Sequence, residues 1–140
     1  MSMTVITKTV FFSVSKEIVW AYLTQKDKLA LWFHPADADL KQGQDYALLD
    51  RKSNMSKVCW GKVLEMDQPD RMVWSFTISP LQGAMTTVVW TLETAAGGTR
   101  LTLQHEGIEQ AAGEAALGML CALDKGWDEH FGRLRTHVTG

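Results

Sequence analysis

Histidine is the residue type whose placement in this sequence most suggests chemistry. In the stretch TRLTLQHEG, residues 99–107, the residues alternate as in a β-strand, and Leu101, Leu103 and His105 share one face. The two leucines indicate that this face is buried, so His105 also points inward. Because a neutral imidazole donates one hydrogen bond and accepts one, we predict that His105 is a polar group lining a ligand cavity. The alternative is that it bonds a neighbouring hydroxyl or backbone group inside a filled core.

A catalytic role for His105 would require a second polar group beside it. No carboxylate shares its strand face, so nothing on the strand would orient the ring or stabilise its charged form. The sequence contains neither the G-x-S-x-G motif of α/β-hydrolases nor the H-E-x-x-H motif of zinc proteases. The glycines of Ala96-Gly97-Gly98 are typical of a hairpin turn rather than a phosphate-binding loop. We therefore expect no catalytic residues and no cofactor.

The two cysteines, Cys59 and Cys121, raise the possibility of a zinc site together with His105. The three residues lack the short ligand spacing that zinc sites usually show, and buried thiols are common in protein cores. We expect two reduced, buried cysteines and no metal.

An apolar cavity is the remaining candidate site. The chain contains six tryptophans, which can either fill a core or line a cavity. The strand and helix patterns direct one set of residues toward the space between a sheet and a C-terminal helix. The predicted lining residues are Trp74, Phe76, Met85, Trp90, His105, Met119, Leu123 and Trp127.

The elements that must position these residues can be read from the hydrophobic pattern. Two short helices are predicted between the first strand and Pro35, the second with Leu29, Trp32 and Phe33 on its buried face. Antiparallel strands follow, because each alternates apolar and polar residues between turn signals. The predicted strands are Thr4–Phe12, Tyr46–Leu49, Lys57–Asp67, Met72–Ser79, Thr87–Leu92 and Thr99–Gly107.

One long helix is predicted from about Ala111 to His137, because Trp127, Phe131 and Leu134 recur at helical spacing. It is the only element long enough to cover the apolar face of the sheet. Its glycines, at positions 113, 118, 126 and 132, would each cost about 1 kcal/mol relative to alanine. We therefore expect them to allow a bend or a close approach to the sheet.

Length and composition favour a single domain over residues 1–140. Of these residues 46% are apolar and 21% are charged, and the net charge is −2. This balance, with its scattered basic residues, excludes the positive patch that nucleic acid requires. No apolar run is long enough to span a membrane, and the first residues do not resemble a signal peptide. We expect a cytoplasmic protein with no nucleic-acid partner and no membrane span.

Four stretches resemble, in this order, the family named after the activator of heat-shock protein 90 ATPase. They are VWAYLTQKDKLALWF, GKVLEMDQPDRMVWSF, GGTRLTLQHEGI and GWDEHFGRLRTHV. The resemblance extends from about Phe11 to Val138. It implies the START and polyketide-cyclase superfamily, and therefore an α+β helix-grip fold. In that fold a curved antiparallel sheet of six or seven strands surrounds a long C-terminal helix, and two short helices follow the first strand.

The resemblance implies structural rather than catalytic roles for its motif residues. Trp20 and Trp32 would pack the two short helices, and Gly126 and Trp127 would seat the long helix on the sheet. The function we predict is binding of a small apolar or aromatic ligand, such as a lipid, polyketide or metabolite, in the cavity between sheet and helix. A cyclase- or hydrolase-like enzyme using the same cavity and a chaperone-interacting protein are the alternatives.

Overall fold

The computed structural model describes residues 4–50 and 56–138. Within these described residues, six strands and four α-helices form the fold. The strands are β1 (Ile6–Phe12), β2 (Asp45–Asp50), β3 (Ser56–Asp67), β4 (Arg71–Ile78), β5 (Thr86–Ala95) and β6 (Gly98–Glu106). The helices are α1 (Lys16–Thr24), α2 (Lys26–Trp32), α3 (Ile108–Ala112) and α4 (Ala116–His137), with 3₁₀ turns at Ser79–Leu81 and Gly113–Ala115.

The strands form one antiparallel sheet in the order β1-β6-β5-β4-β3-β2. β5 and β6 are joined by the predicted turn at Gly97, whose φ of +84° suits a residue without a side chain. The register shifts between Leu48 and Leu49 in β2 and between Val63 and Glu65 in β3. Such irregularities bend a strand and increase its twist, so they contribute to the curvature of the sheet. The predicted α+β helix-grip fold is confirmed.

α4 packs on one face of this sheet through the residues that the spacing predicted. Trp127, Phe131 and Leu134 are buried, and Val138 follows them at the end of the helix. All four belong to one hydrophobic core that includes buried residues from every strand and from the first three helices. Trp20, Leu23, Leu29 and Trp32 are the largest contributions of α1 and α2 to this core.

The C-terminal helix begins later than predicted and is preceded by a break. Gly113 has a φ of +57°, which ends α3 at Ala112 and separates it from α4 by the 3₁₀ turn. The bend that was expected in this segment therefore lies at Gly113. The expectation of a close approach to the sheet is wrong for Gly118, Gly126 and Gly132, because an added Cβ at each would meet nothing within 4 Å.

Both cysteines are free, and they lie in different surroundings. Cys59 is buried on β3 as expected, whereas Cys121 is exposed on α4, so the prediction of a buried thiol is wrong there. Cys121 is not on the face of α4 that carries Trp127 and Phe131, and it borders a surface depression beside the start of β1. Within the described residues, no helix is both long enough and apolar enough to cross a membrane.

Candidate functional site

A chain of hydrogen bonds joins α4 to the middle of the sheet through His105. The indole Nε1 of Trp127 donates to Nδ1 of His105 over 3.0 Å, and Nε2 of His105 lies 2.8 Å from Oγ1 of Thr86. The Thr86 hydroxyl donates to the carbonyl of Phe76 over 2.7 Å. The four residues come from α4, β6, β5 and β4, so this series of hydrogen bonds crosses three neighbouring strands and fixes the helix to them.

The donors in this chain determine the tautomer of His105. An indole N–H can only donate, so Nδ1 of His105 must accept, and its proton lies on Nε2. Nε2 then donates to Thr86, whose own proton goes to the Phe76 carbonyl. His105 is fully buried, and burial lowers its pKa to about 4. The ring is therefore neutral at pH 7 and both of its nitrogens are occupied.

Large aromatic rings fill the space between the sheet and α4 around this chain. The ring centroid of Trp90 lies 5.1 Å from that of Trp74, 5.7 Å from that of Trp127 and 6.1 Å from that of Phe131. Trp32 of α2 closes the group at 6.2 Å from Trp90. The indole N–H groups of Trp74 and Trp90 are buried and have no hydrogen-bond partner among the residues described. The centre of the molecule is therefore packed with rings.

A small cavity of about 90 Å³ remains at one end of this packed region. Its floor is formed by Cys59, Phe76 and Trp127, which are buried, and its rim by residues that are half-buried. The elements around it are the end of α2, strands β3 and β4, and helix α4. The full lining is Phe33, His34, Val58, Cys59, Phe76, Ile78, Leu123, Gly126, Trp127 and His130.

Two histidines and an arginine lie together at the rim. The ring of His34 meets that of His130 edge to face at 5.3 Å between centroids, and Phe33 contacts both. The guanidinium of Arg133 donates through Nη2 to Nδ1 of His130 and through Nε to the carbonyl of Trp32 over 3.1 Å. Because a guanidinium has no acceptor, Nδ1 of His130 is unprotonated.

The pKa values of the titratable residues that line the cavity are all shifted in the direction that favours the neutral form. Burial lowers the pKa of His130 to about 3, with further lowering by His34 and Arg133, while a backbone hydrogen bond to Trp32 acts in the opposite direction. Burial and the charge of Arg133 lower the pKa of His34, against a smaller effect of Asp50. Burial raises the pKa of the Cys59 thiol. The lining consequently carries no charge at neutral pH.

The structure brings together three of the eight predicted lining residues. Phe76, Leu123 and Trp127 face the cavity. Trp74, Trp90 and His105 are fully buried, and they lie in the packed region rather than on the cavity wall. Met119 packs half-buried against the core, and Met85 is 49% exposed. The two bonds of His105 fit the alternative interpretation, in which the ring bonds neighbouring groups inside the core.

The sequence carried a signal for some of the lining residues that were not predicted. Gly126 and His130 lie three and seven residues after Leu123, on the helix face that already held Trp127. Phe33 was predicted on the buried face of the second short helix, whereas His34 lies beyond the end of α2, where no periodicity predicts the direction of a side chain. His34 is half-buried.

Metal-binding residue types do not converge in the described part of the chain. No group of three or more His, Cys, Asp and Glu side chains is placed there to hold a metal ion. Cys59, His105 and Cys121 occupy the cavity floor, the core and the outer surface of α4.

Comparison with known proteins supports the assignment of the fold. The family model described as activator of Hsp90 ATPase homolog 1-like protein matches residues 13–139. No curated protein matches the chain.

Several solved structures share its architecture. BH1534 of Bacillus halodurans is 26% identical with a TM-score of 0.75, and the match covers 99% of both chains. The Aha1 dimer from Colwellia psychrerythraea is 16% identical with a TM-score of 0.79, over 97% of this chain and 96% of that one. CalU16 from Micromonospora echinospora is 25% identical with a TM-score of 0.64, over 87% and 71% of the two chains.

Proposed function

We propose that this chain, which belongs to the family of activator of Hsp90 ATPase homolog 1-like proteins, binds a small apolar or aromatic group in the cavity between β3, β4 and α4. The observation that carries the proposal is the cavity itself: its walls are apolar or neutral, and its rim is half-buried. An apolar surface of this kind gains free energy by exchanging water for apolar groups. Phe76, Leu123 and Trp127 are the proposed ligand contacts among the residues predicted from the sequence.

The size of the cavity limits the ligand. Typical ligand pockets measure roughly 300–1,000 Å³, and an engineered cavity of about 150 Å³ holds benzene. A cavity of about 90 Å³ accepts part of one ring or a short branched chain, with the rest of the molecule at the rim. The lipid or polyketide expected from the sequence would enter with one end only, because Trp74 and Trp90 fill the deeper space.

The chemistry of the lining favours binding over catalysis. A cyclase or hydrolase requires a group that exchanges protons near neutral pH. The pKa values of His34 and His130 are lowered and that of Cys59 is raised, so all three resist this exchange. The free thiols of Cys59 and Cys121 suit a reducing compartment, so a cytoplasmic location is part of the proposal.

Filling the cavity from the helix side tests this proposal. Gly126 lines the cavity and has open space at its Cβ position, so Gly126→Leu should occupy the cavity without distorting α4. Gly132→Leu places the same side chain on the same helix outside this cavity, also in open space, and serves as the control. Benzyl alcohol is the probe, because it combines one ring with one neutral polar group.

The measurement is a titration followed through the indole N–H signal of Trp127 in ¹H–¹⁵N NMR spectra. We expect a saturable shift in the wild type and in Gly132→Leu, and no saturable shift in Gly126→Leu. Equal shifts in all three proteins, or no shift in the wild type, would contradict the proposal.

A further inference from the structure

Arg133 is held at the rim of the cavity with part of its hydrogen-bonding capacity unused. Its Nε donates to the Trp32 carbonyl, and its Nη2 donates to Nδ1 of His130, which lines the cavity. These two bonds use two of the five N–H groups of the guanidinium. The side chain is exposed, so the remaining donors are open to a ligand. Arg133 is thus oriented before any ligand arrives.

Arg133 also differs from other basic residues of the described chain in its lack of a carboxylate partner. Arg71 and Arg100 each pair with a glutamate, and Lys8 pairs with two aspartates of α4. Within residues 4–50 and 56–138, no carboxylate lies within 4.0 Å of the Arg133 guanidinium. Among the described residues, Asp50 opposes the charge of Arg133 at His34, and its effect on the pKa of His34 is smaller than that of Arg133. The rim is therefore positive beside an uncharged cavity.

We propose that the ligand is a small carboxylate, whose ring or short branched chain enters the cavity and whose carboxylate binds Arg133. The planar guanidinium presents its donors in a fork that matches the two oxygens of a carboxylate. The inference rests on the proposed function and specifies the chemical class of the ligand. His34 and His130 are neutral beside it, so Arg133 supplies the charge.

Two probes of the same size separate this inference from the function on which it rests. Benzoate carries the carboxylate, and benzyl alcohol carries a neutral group on the same ring. Arg133→Gln removes the charge, and Arg133→Lys keeps the charge but loses the fork. Arg135→Gln is the matched control, because Arg135 is exposed on the same helix and lines a different depression of the surface. Affinities are measured by NMR titration of the full chain at low salt.

We expect the wild type to bind benzoate more tightly than benzyl alcohol. Arg133→Gln should lower the affinity for benzoate about tenfold, as the loss of a charge-assisted hydrogen bond predicts. The affinity for benzyl alcohol should stay nearly unchanged. Arg133→Lys should retain an intermediate affinity for benzoate, and Arg135→Gln should behave as the wild type. Added salt should lower the affinity for benzoate and not that for benzyl alcohol, since exposed charges are screened.

The contrary outcomes are distinct from one another. If the wild type binds both probes equally, or if Arg133→Gln weakens both equally, the role of Arg133 is overturned while the cavity remains a binding site. If neither probe binds the wild type, the proposed function and this inference are both overturned.

Discussion

His105 shows how one buried residue can link the stability of the molecule to pH. It accepts a hydrogen bond from Trp127 and donates one to Thr86, an arrangement that requires the neutral ring. Protonation of Nδ1 would place a proton against the indole N–H, and no carboxylate of the described residues acts on the ring to stabilise the resulting charge. The folded protein therefore resists binding a proton that the unfolded chain accepts near its usual pKa of 6.5.

The first prediction concerns this difference in proton binding. Because burial lowers the His105 pKa to about 4, the unfolded state binds more protons than the folded state between pH 6.5 and about 4. The free energy of unfolding should thus decrease as the pH falls through this range. With 1.36 kcal/mol for each pKa unit, the His105 contribution is about 3 kcal/mol across the whole range.

Urea denaturation at a series of pH values measures this effect. His105→Leu should remove the His105 part of the slope, and at pH 7 it should cost about 1–3 kcal/mol because the Trp127 indole loses its acceptor. His137→Gln changes an exposed histidine of the same molecule and should change the free energy of unfolding at pH 7 by less than about 0.5 kcal/mol. A slope that is unchanged in His105→Leu would show that the ring is not the source.

At the scale of elements, α4 was well predicted where it is amphipathic and poorly predicted where it is not. Trp127, Phe131 and Leu134 are spaced at three and four residues, and that spacing alone identified the buried face. The start of the helix depends on the left-handed backbone of Gly113, which spacing does not reveal. Glycine permits such angles without requiring them, so the four glycines of this segment could not be distinguished from the sequence.

The second prediction distinguishes these glycines by substitution. Gly118→Ala and Gly132→Ala should each raise the free energy of unfolding by about 0.5–1 kcal/mol, because both lie inside α4 and an added Cβ meets nothing. Gly61→Ala should lower it, since its Cβ would lie 2.0 Å from the Ser75 carbonyl oxygen on the next strand. Chemical denaturation measures all three. Destabilisation by Gly118→Ala and Gly132→Ala would mean that α4 needs glycine at those positions.

At the scale of the whole molecule, the order of elements was predictable and the position of the cavity was not. Alternation in the strands and one amphipathic helix were sufficient for the order of elements and for a helix lying across the sheet, whereas the helix-grip fold was implied by the family resemblance. The cavity depends on how far Trp74 and Trp90 fill the space between the two layers, which is decided by side-chain packing. Patterns in a sequence give the face on which a residue lies, and they do not give the volume left between faces.

The third prediction is that the sheet and α4 unfold together as one domain, because a single core joins them. Trp127→Ala should lower the free energy of unfolding by about 3–5 kcal/mol, the cost of truncating a large buried aromatic residue. Leu117→Ala on the same helix, where the side chain is 75% exposed, should change it by less than about 0.5 kcal/mol. Far-ultraviolet circular dichroism and tryptophan fluorescence should give the same urea midpoint in each protein. Separate midpoints would indicate that α4 detaches before the sheet unfolds.

The close packing of Trp32, Trp74, Trp90 and Trp127 also affects the circular dichroism spectrum of the protein. Trp90 lies within 6.2 Å of three other indoles, and the rings are inclined at 60°, 85° and 87° to it. The transition dipoles of indole rings this close interact, and their coupling gives the indole bands a rotational strength that depends on the arrangement of the rings. These bands overlap the peptide signal. The circular dichroism spectrum of the native protein is therefore in part a measure of ring geometry, and helix content taken from it alone would be distorted.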